Sequence, residues 1–224
     1  MLADLTARVS ATAVRRASQL RGERVIHARG AVLSGRLLVP GGAALGVPLL
    51  DEPGEHRCLV RFSRSLGLPA PLPDVLGVAV RVVDAHGPDR HQDLLLDSVL
   101  PVPGLKHWPA PRRDLLGAVY TTLHDHEVGG RRRLLALLPD PSAPRVEEPA
   151  GLAGAADGVR LRVAVADGHL RWREVAALEL GAPVPGGRSV RFSPDVSGGG
   201  LRPAGWSQVL RRGAYRASHV GRDA

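Results

Sequence analysis

Four segments of this chain predict β-strands, the first two by polar residues placed among apolar ones and the last two by mostly apolar sequence, and they follow one another within about seventy residues, joined by short turns. The segments are Arg24–Val39, Cys58–Ser63, Val75–Val83 and Asp93–Leu100. In the second segment, Arg61 and Ser63 fall on the face opposite Phe62. Because consecutive strands with short connections usually pair antiparallel, the sequence predicts an antiparallel sheet or barrel.

The middle of the chain has the leucine spacing of helices, which predicts helices over Pro111–Glu127 and Arg131–Leu138. His124-Asp125-His126-Glu127 is interpreted as a helix end and not as a zinc site, because histidines at i and i+2 of a helix point apart. Strands resume at Val159–Val165 and Leu170–Leu180, and Asp167-Gly168 between them predicts a hairpin turn.

Both ends of the chain are predicted to be helical. Residues 1–20 place Leu5, Val9 and two alanines at four-residue spacing, which indicates an amphipathic N-terminal arm, and Ala204–Arg222 indicates a final helix. The composition does not change along the 224 residues, so we expect a single domain, 1–224. The predicted fold class is α+β, an antiparallel β-barrel with helices inserted between the strands and at the C-terminus.

Charge and cysteine content argue against several classes of protein. The net charge of +8 would suit an anionic partner, but the arginines are spread along the chain and are not interleaved with aromatic residues, which argues against nucleic-acid binding. Cys58 is the single cysteine, so a disulfide framework is excluded. Since no apolar run has the length of a signal peptide or a membrane span, we expect a cytoplasmic protein with no integral membrane segment.

The predicted C-terminal helix carries an unusual polar stripe. Arg211, Tyr215, His219 and Arg222 follow at i, i+4, i+8 and i+11, which places all four on one helix face. The charge of Arg211, one turn from Tyr215, would stabilise a phenolate and lower the pKa of the tyrosine. A phenolate is one of the axial ligands that proteins offer to haem iron.

Five motifs, in this order along the chain, resemble those of the haem catalase superfamily. Arg24-Val25-Ile26-His27-Ala28-Arg29-Gly30 resembles the motif of the distal histidine, and Val60-Arg61-Phe62-Ser63 resembles the strand whose serine bonds that histidine. Asp74–Arg81 is similar to the following glycine-containing strand. Phe192-Ser193-Pro194, and Arg211 to Arg222 around Tyr215, resemble the proximal segment with its tyrosine ligand.

The resemblance implies a haem b cofactor and a role for each matching residue. Tyr215 would hold the iron, with Arg211 keeping the phenol ionised, and Arg24, Arg61 and Arg222 would pair with the haem propionates. His27 would take a proton from a peroxide and return it to the departing oxygen. Ser63 would orient the imidazole of His27.

One family position is altered in this chain. Where the family has a distal asparagine followed by Thr-Pro and aromatic residues, the alignment puts Ser98, with Asp97 as the alternative if the register slips by one. The asparagine helps to place a second peroxide, so its loss predicts peroxidase-like cleavage of hydrogen or organic and lipid peroxides more than true catalase turnover. The alternative is a non-catalytic catalase-like protein, with or without haem. We expect a monomer or a homodimer.

Overall fold

Eight antiparallel strands form the wall of a closed barrel in the computed structural model, which describes residues 30–102, 105, 107–167 and 171–204. The strands of the described residues are β1 Gly30–Val39, β2 Gly54–Arg64, β3 Asp74–Val82, β4 Gln92–Val99, β5 Pro111–Arg112, β6 Val119–Thr121, β7 His126–Val128, β8 Arg131–Arg133, β9 Leu135–Leu138, β10 Arg160–Asp167, β11 Arg171–Pro183 and β12 Leu201–Pro203. Two four-residue helices lie between strands, α1 Pro48–Asp51 and α2 Leu152–Ala155. Single 3₁₀ turns are formed by Pro149–Gly151 and Gly187–Ser189.

The barrel closes because its first and last strands pair with each other. Around the wall the order is β2, β1, β11, β10, β9, β6, β4 and β3, and β3 pairs back onto β2. The short β5 pairs antiparallel with the first two residues of β3. β12, β7 and β8 form a separate small sheet. Closure leaves no open edge in the wall. The prediction of an antiparallel barrel is therefore confirmed.

The interior of the barrel is a packed apolar core. Alternate residues of each strand point inward, so that Val60 faces Val80 across β2 and β3, and Val78 faces Leu96 across β3 and β4. A cavity of about 20 Å³ remains among leucine and valine side chains, which is about the volume of one water molecule. The interior of the barrel is therefore a filled core of apolar side chains.

The four strands predicted in the first half of the chain are confirmed in the described residues. From Gly30 onwards, the ends of β1, β2, β3 and β4 agree with those of the predicted segments to within four residues. The later hairpin is confirmed as well, since β10 and β11 pair antiparallel from Arg160 to Asp167. Residues 1–29 and 205–224 lie outside the described residues, and the helices predicted for 1–20 and for Ala204–Arg222 remain predictions.

The prediction of helices over Pro111–Glu127 and Arg131–Leu138 is wrong, because this region forms β5 to β9. His126 begins β7 and does not lie at a helix end. Gly129 and Gly130 both have positive φ angles, of 57° and 79°, and form the two-residue turn between β7 and β8. Glycines at both turn positions favour a β-hairpin, whose twist matches that of the strands. The leucines that gave a helical spacing are instead buried strand and loop residues, of which Leu115, Leu116 and Leu135 lie in the main core and Leu138 in a separate small cluster.

Candidate functional site

One row of residues runs in register across the outer side of five strands. Ser63 of β2 lies between Gly30 of β1 and Gly77 of β3, Gly77 pairs with Asp97 of β4, and Asp97 pairs with Thr121 of β6. The residues next to this row along the strands, such as Phe62 and Leu96, are core residues. Since successive strand residues alternate between faces, the row points away from the core. We call these five residues the outer row.

The hydroxyl of Ser63 is buried and weakly held. The side chain is 5 % exposed, and its Oγ donates a hydrogen bond of 3.4 Å to the carbonyl oxygen of Gly77. That distance is well beyond the usual range for a hydroxyl donor, so the bond is weak. The Ser63 hydroxyl can therefore turn to a better partner at little cost.

Because Gly77 has no side chain, the side chains of Ser63 and Asp97 can lie close to its Cα atom. A Cβ atom at this position would lie 3.0 Å from Ser63 Oγ and 3.8 Å from Asp97 Oδ1. The serine hydroxyl and the half-buried aspartate therefore flank one bare Cα atom. An alanine here would push the serine hydroxyl away, since 3.0 Å is closer than ordinary van der Waals contact.

Ser98 lies on the other side of the wall from Ser63. Its side chain is fully buried, its Oγ donates to the Ala110 carbonyl oxygen at 2.8 Å, and it accepts from the Leu76 backbone N–H at 3.0 Å. Both distances are those of good hydrogen bonds. The Ser98 hydroxyl is thus used to join β4 to β3 and to Ala110. Ser98, the residue expected at the distal position, therefore does not share a face of the wall with Ser63, whereas the alternative residue, Asp97, does.

Arg61 shares the outer face with Ser63, two residues away on β2. A Cβ atom on Gly30 would lie 3.0 Å from Arg61 Nε, so the absence of a side chain at Gly30 gives the guanidinium room. Partial burial lowers the pKa of Arg61, because desolvation disfavours the charged guanidinium. The structure therefore brings two of the predicted site residues, Arg61 and Ser63, to one face.

An ion pair that the sequence did not reveal fixes the far end of this face. Arg81 of β3 donates to both carboxylate oxygens of Asp93 on β4, each at 2.7 Å, and the bonds with Asp93 raise the pKa of the guanidinium. Arg81 also stacks on the Phe192 ring, 5.4 Å from its centroid, while Asp93 accepts the Ser193 backbone N–H at 2.8 Å. The pair ties the Phe-Ser-Pro motif to the barrel wall. The available signal was the charge at outward positions of two apolar strands, Arg81 on β3 and Asp93 on β4.

From the outer row to this ion pair, the outer side of β3 carries a glycine and an alanine. Gly77, Ala79 and Arg81 follow one another on the outer side of β3, opposite Asp97, Leu95 and Asp93 of β4. The outer side of β3 is therefore shallow at Gly77 and Ala79, between Asp97 and the Arg81–Asp93 pair.

Five predicted site residues, His27, Arg24, Arg211, Tyr215 and Arg222, lie outside the described residues, and their roles remain predictions. Among the residues that the structure describes, no group of three or more metal-ligating side chains converges. No helix in the same ranges is long and apolar enough to cross a membrane.

The fold resembles that of catalases. A fungal catalase superposes with a TM-score of 0.57 at 15 % sequence identity, covering 85 % of this chain and 57 % of its own. A bacterial catalase superposes with a TM-score of 0.60 at 12 % identity, covering 90 % of this chain and 58 % of its own. The chain thus spans less than three fifths of either structure. No protein-family model and no curated protein matches the sequence. The chain has a catalase-like fold.

Proposed function

We propose that this protein is a haem-dependent, catalase-related oxidoreductase that cleaves hydrogen peroxide or organic and lipid peroxides, with peroxidase activity exceeding catalase activity. The observation that carries the proposal is the outer row. On a catalase-like barrel, Ser63 and Asp97 flank Gly77 in register, and Gly30, three residues after His27 in the sequence, pairs with Ser63.

The residues of the outer face fit haem. Gly77 and Ala79 leave a shallow wall against which a flat macrocycle can lie, and Arg61, a half-buried guanidinium on the same outer face, has the geometry and charge to bind a propionate carboxylate. In the proposal, Tyr215 supplies the phenolate ligand and Arg211 stabilises its charge, while Arg24 and Arg222 join Arg61 at the propionates. Haem, when bound, supplies the redox-active iron at which the O–O bond of a peroxide is broken.

The proton transfers are assigned to His27. The imidazole takes a proton from one peroxide oxygen and returns it to the departing oxygen, so a single group acts first as base and then as acid. Ser63 is the positioning residue, because its hydroxyl, held by only a weak bond to Gly77, can turn to a ring nitrogen and select the tautomer.

Asp97 is proposed at the distal position in place of Ser98. The Ser98 hydroxyl faces the core and already makes two good hydrogen bonds, whereas the Asp97 carboxylate reaches to within 3.8 Å of the space above Gly77. An ionised carboxylate only accepts hydrogen bonds, while an asparagine amide also donates. A carboxyl group at this position offers a second peroxide no N–H donor, which would disfavour disproportionation relative to peroxidase turnover.

A second candidate function is that of a catalase-like protein without redox turnover, with or without haem. The observation that favours it is the altered distal position, where no asparagine is present at residue 97 or 98. The retained pair Arg211 and Tyr215 favours the enzyme.

The experiment that separates the two candidates is a visible spectrum of the full chain before and after addition of haemin, recorded beside Tyr215→Ala. The proposal expects a Soret band of high-spin ferric haem that shifts or is lost in the variant. No band after reconstitution would exclude the enzyme. With haem bound, His27→Ala should lower kcat/KM for peroxide by about 10²- to 10⁴-fold, as expected for loss of a general acid–base, and unchanged reactivity would favour the non-catalytic candidate.

Two further variants test the outer row. Ser63→Ala should lower kcat/KM by about 5- to 10-fold, the equivalent of one hydrogen bond, and should change the pH profile. Asp97→Asn should raise catalase turnover relative to peroxidase turnover. Ser34→Ala is the matched control, because this serine also points outward but lies on β1 away from the row, where its hydroxyl donates to the Ala182 carbonyl oxygen.

A further inference from the structure

The large apolar side chains that are most exposed in the described residues all lie in two loops. One loop joins β2 to β3 and the other joins β4 to β5. The exposed side chains are Leu66 (53 %), Leu68 (36 %) and Leu72 (50 %) in the first loop, and Leu100 (39 %), Val102 (49 %), Leu105 (42 %) and Trp108 (57 %) in the second. We call these seven residues the apolar rim. Exposed leucines scattered singly are normal, but a cluster indicates an interaction surface.

Both loops leave the same end of the barrel. β2 ends at Arg64 and β3 begins at Asp74, so the first loop lies at the end where β3 starts. β4 runs antiparallel to β3 and ends at Val99 beside that start, and β5 then pairs with Asp74. β6 starts beside Val99 and runs toward the opposite end of the barrel. The hairpin of β7 and β8 follows the end of β6 at Thr121 and therefore lies toward that opposite end. Both loops therefore start from the same end of the barrel, and His107 of the second loop reaches back to the Leu123 carbonyl oxygen at 2.9 Å.

The first loop is held rigidly while its leucines face outward. Arg64 and Asp74 have fully buried side chains with 4.0 Å between Arg64 Nε and Asp74 Oδ2. The guanidinium donates to the carbonyl oxygens of Leu68 and Leu72 and to that of Glu147. The Asp74 carboxylate accepts the backbone N–H groups of Leu66 and Leu68 at 3.0 and 3.1 Å. Because these hydrogen bonds hold the loop backbone in place, the leucine side chains stay exposed and do not fold back onto the barrel.

The second loop of the apolar rim is basic. The loop sequence 65–73 carries no charge, whereas the segment 98–113, which lies between Asp97 and Asp114, contains Lys106, His107, Arg112 and Arg113. The Glu148 carboxylate, which reaches the first loop, accepts the Ala70 backbone N–H at 2.7 Å. The whole chain carries a net charge of +8. An apolar surface with cationic flanks and an exposed tryptophan has the chemistry of a membrane–water interface.

We propose that the apolar rim docks this protein peripherally on a lipid bilayer that contains anionic lipids. The leucines and Trp108 enter the headgroup region, and the arginines beside them contact the lipid phosphates. The proposal goes beyond the peroxide chemistry and does not depend on it, because binding to vesicles is measured without haem. If the proposed function also holds, the bilayer is the source of the lipid hydroperoxides that reach the outer face.

The test is co-sedimentation of the full chain with vesicles of phosphatidylcholine, alone or mixed with phosphatidylglycerol, with and without haemin. We expect binding to the mixed vesicles that weakens at high salt. The double variant Leu66→Ser/Leu72→Ser, and separately Trp108→Ser, should weaken binding by about tenfold or more, because buried apolar area is lost. These side chains are exposed, and circular dichroism checks that the fold is kept.

A matched pair of arginine variants tests the charge. Arg113→Gln, beside the apolar rim, should weaken binding to mixed vesicles about fivefold. Arg131→Gln, equally exposed on the hairpin at the opposite end of the barrel, should leave binding unchanged. Equal effects of the two arginine variants, or absence of binding to mixed vesicles, would overturn the proposal. Concentration-dependent dimerisation in the ultracentrifuge that the leucine variants abolish, without vesicle binding, would overturn it in favour of a second copy of the chain.

Discussion

Asp97 and Ser98 are neighbours on β4, but their side chains lie on opposite sides of the barrel wall. Asp97 pairs with Gly77 and shares the outer row with Ser63, whereas Ser98 points inward and is fully buried. A shift of one residue in a strand exchanges the two faces. The two positions that a sequence alignment could not separate therefore have different surroundings, and substitutions at them should have different effects.

Ser98→Ala should lower stability without changing peroxide chemistry. The substitution leaves the Leu76 N–H and the Ala110 carbonyl oxygen without their buried partner, which costs about 1–3 kcal/mol in the free energy of unfolding. Urea denaturation measures this loss. Ser34→Ala, which removes one more exposed bond, should cost less. A stable Ser98→Ala protein with impaired peroxide cleavage would contradict the assignment of Asp97 to the outer site.

Arg64→Met should be among the most destabilising single substitutions in the described barrel. It removes the bonds to three carbonyl oxygens and leaves the Asp74 carboxylate buried without its cation, which costs about 3–5 kcal/mol. Arg145→Met is the control, because Arg145 pairs with Glu147 at the surface, where such pairs contribute about 0–1 kcal/mol. Chemical denaturation of both variants tests the difference, and similar losses would show that the buried pair has no special role.

The barrel could be predicted because its strands carry the signal locally. In β2 and β3 the alternation of Val60, Phe62, Val78 and Val80 with outward residues is visible in the sequence and agrees with the burial in the structure. The segment from 111 to 138 could not be assigned in the same way, because its strands have two to four residues and show no full period of alternation. Only the Gly129-Gly130 turn indicated strands there.

The sequence predicted which site residues share a face where those residues lie on one strand. It did not do so where the arrangement depends on the pairing of two strands. Arg61 and Ser63 share a face because they are two residues apart. The choice between Asp97 and Ser98 depends on the register of β4 against β3, and the pair of Arg81 with Asp93 depends on the same register. Register is set by the packing of whole strands, so a single sequence does not reveal it.

Cys58 should be unreactive in the folded protein. Its side chain is buried on the inner side of β2, and burial raises the pKa of the thiol to about 12, although a backbone hydrogen bond from Leu37 opposes the shift. Because the thiolate is the reactive form, labelling with a disulfide reagent at pH 8 should be very slow in buffer and complete in guanidinium. Rapid labelling of the folded protein would mean that β2 opens readily.

His126 should make the protein less stable in mild acid. Its side chain is buried at the start of β7, and burial lowers the pKa of the imidazole to about 4, although the hydrogen bond to the His124 carbonyl oxygen opposes the shift. The unfolded chain, with a histidine pKa of about 6.5, binds this proton more readily than the folded chain does. Stability should therefore fall as the pH is lowered from about 6.5 to about 4, by about 3 kcal/mol from this residue alone.

The measurement is the midpoint of thermal or urea unfolding at pH 7.5 and at pH 4.5 for the parent chain and for His126→Gln. The variant removes the titrating group and keeps an amide that can donate to the His124 carbonyl oxygen, so its loss of stability between the two pH values should be smaller. His107→Gln, at an exposed position, should retain the full loss of the parent chain. If His126→Gln and the parent chain lose equal stability in acid, His126 is not buried as a neutral imidazole, and the acid sensitivity has another source.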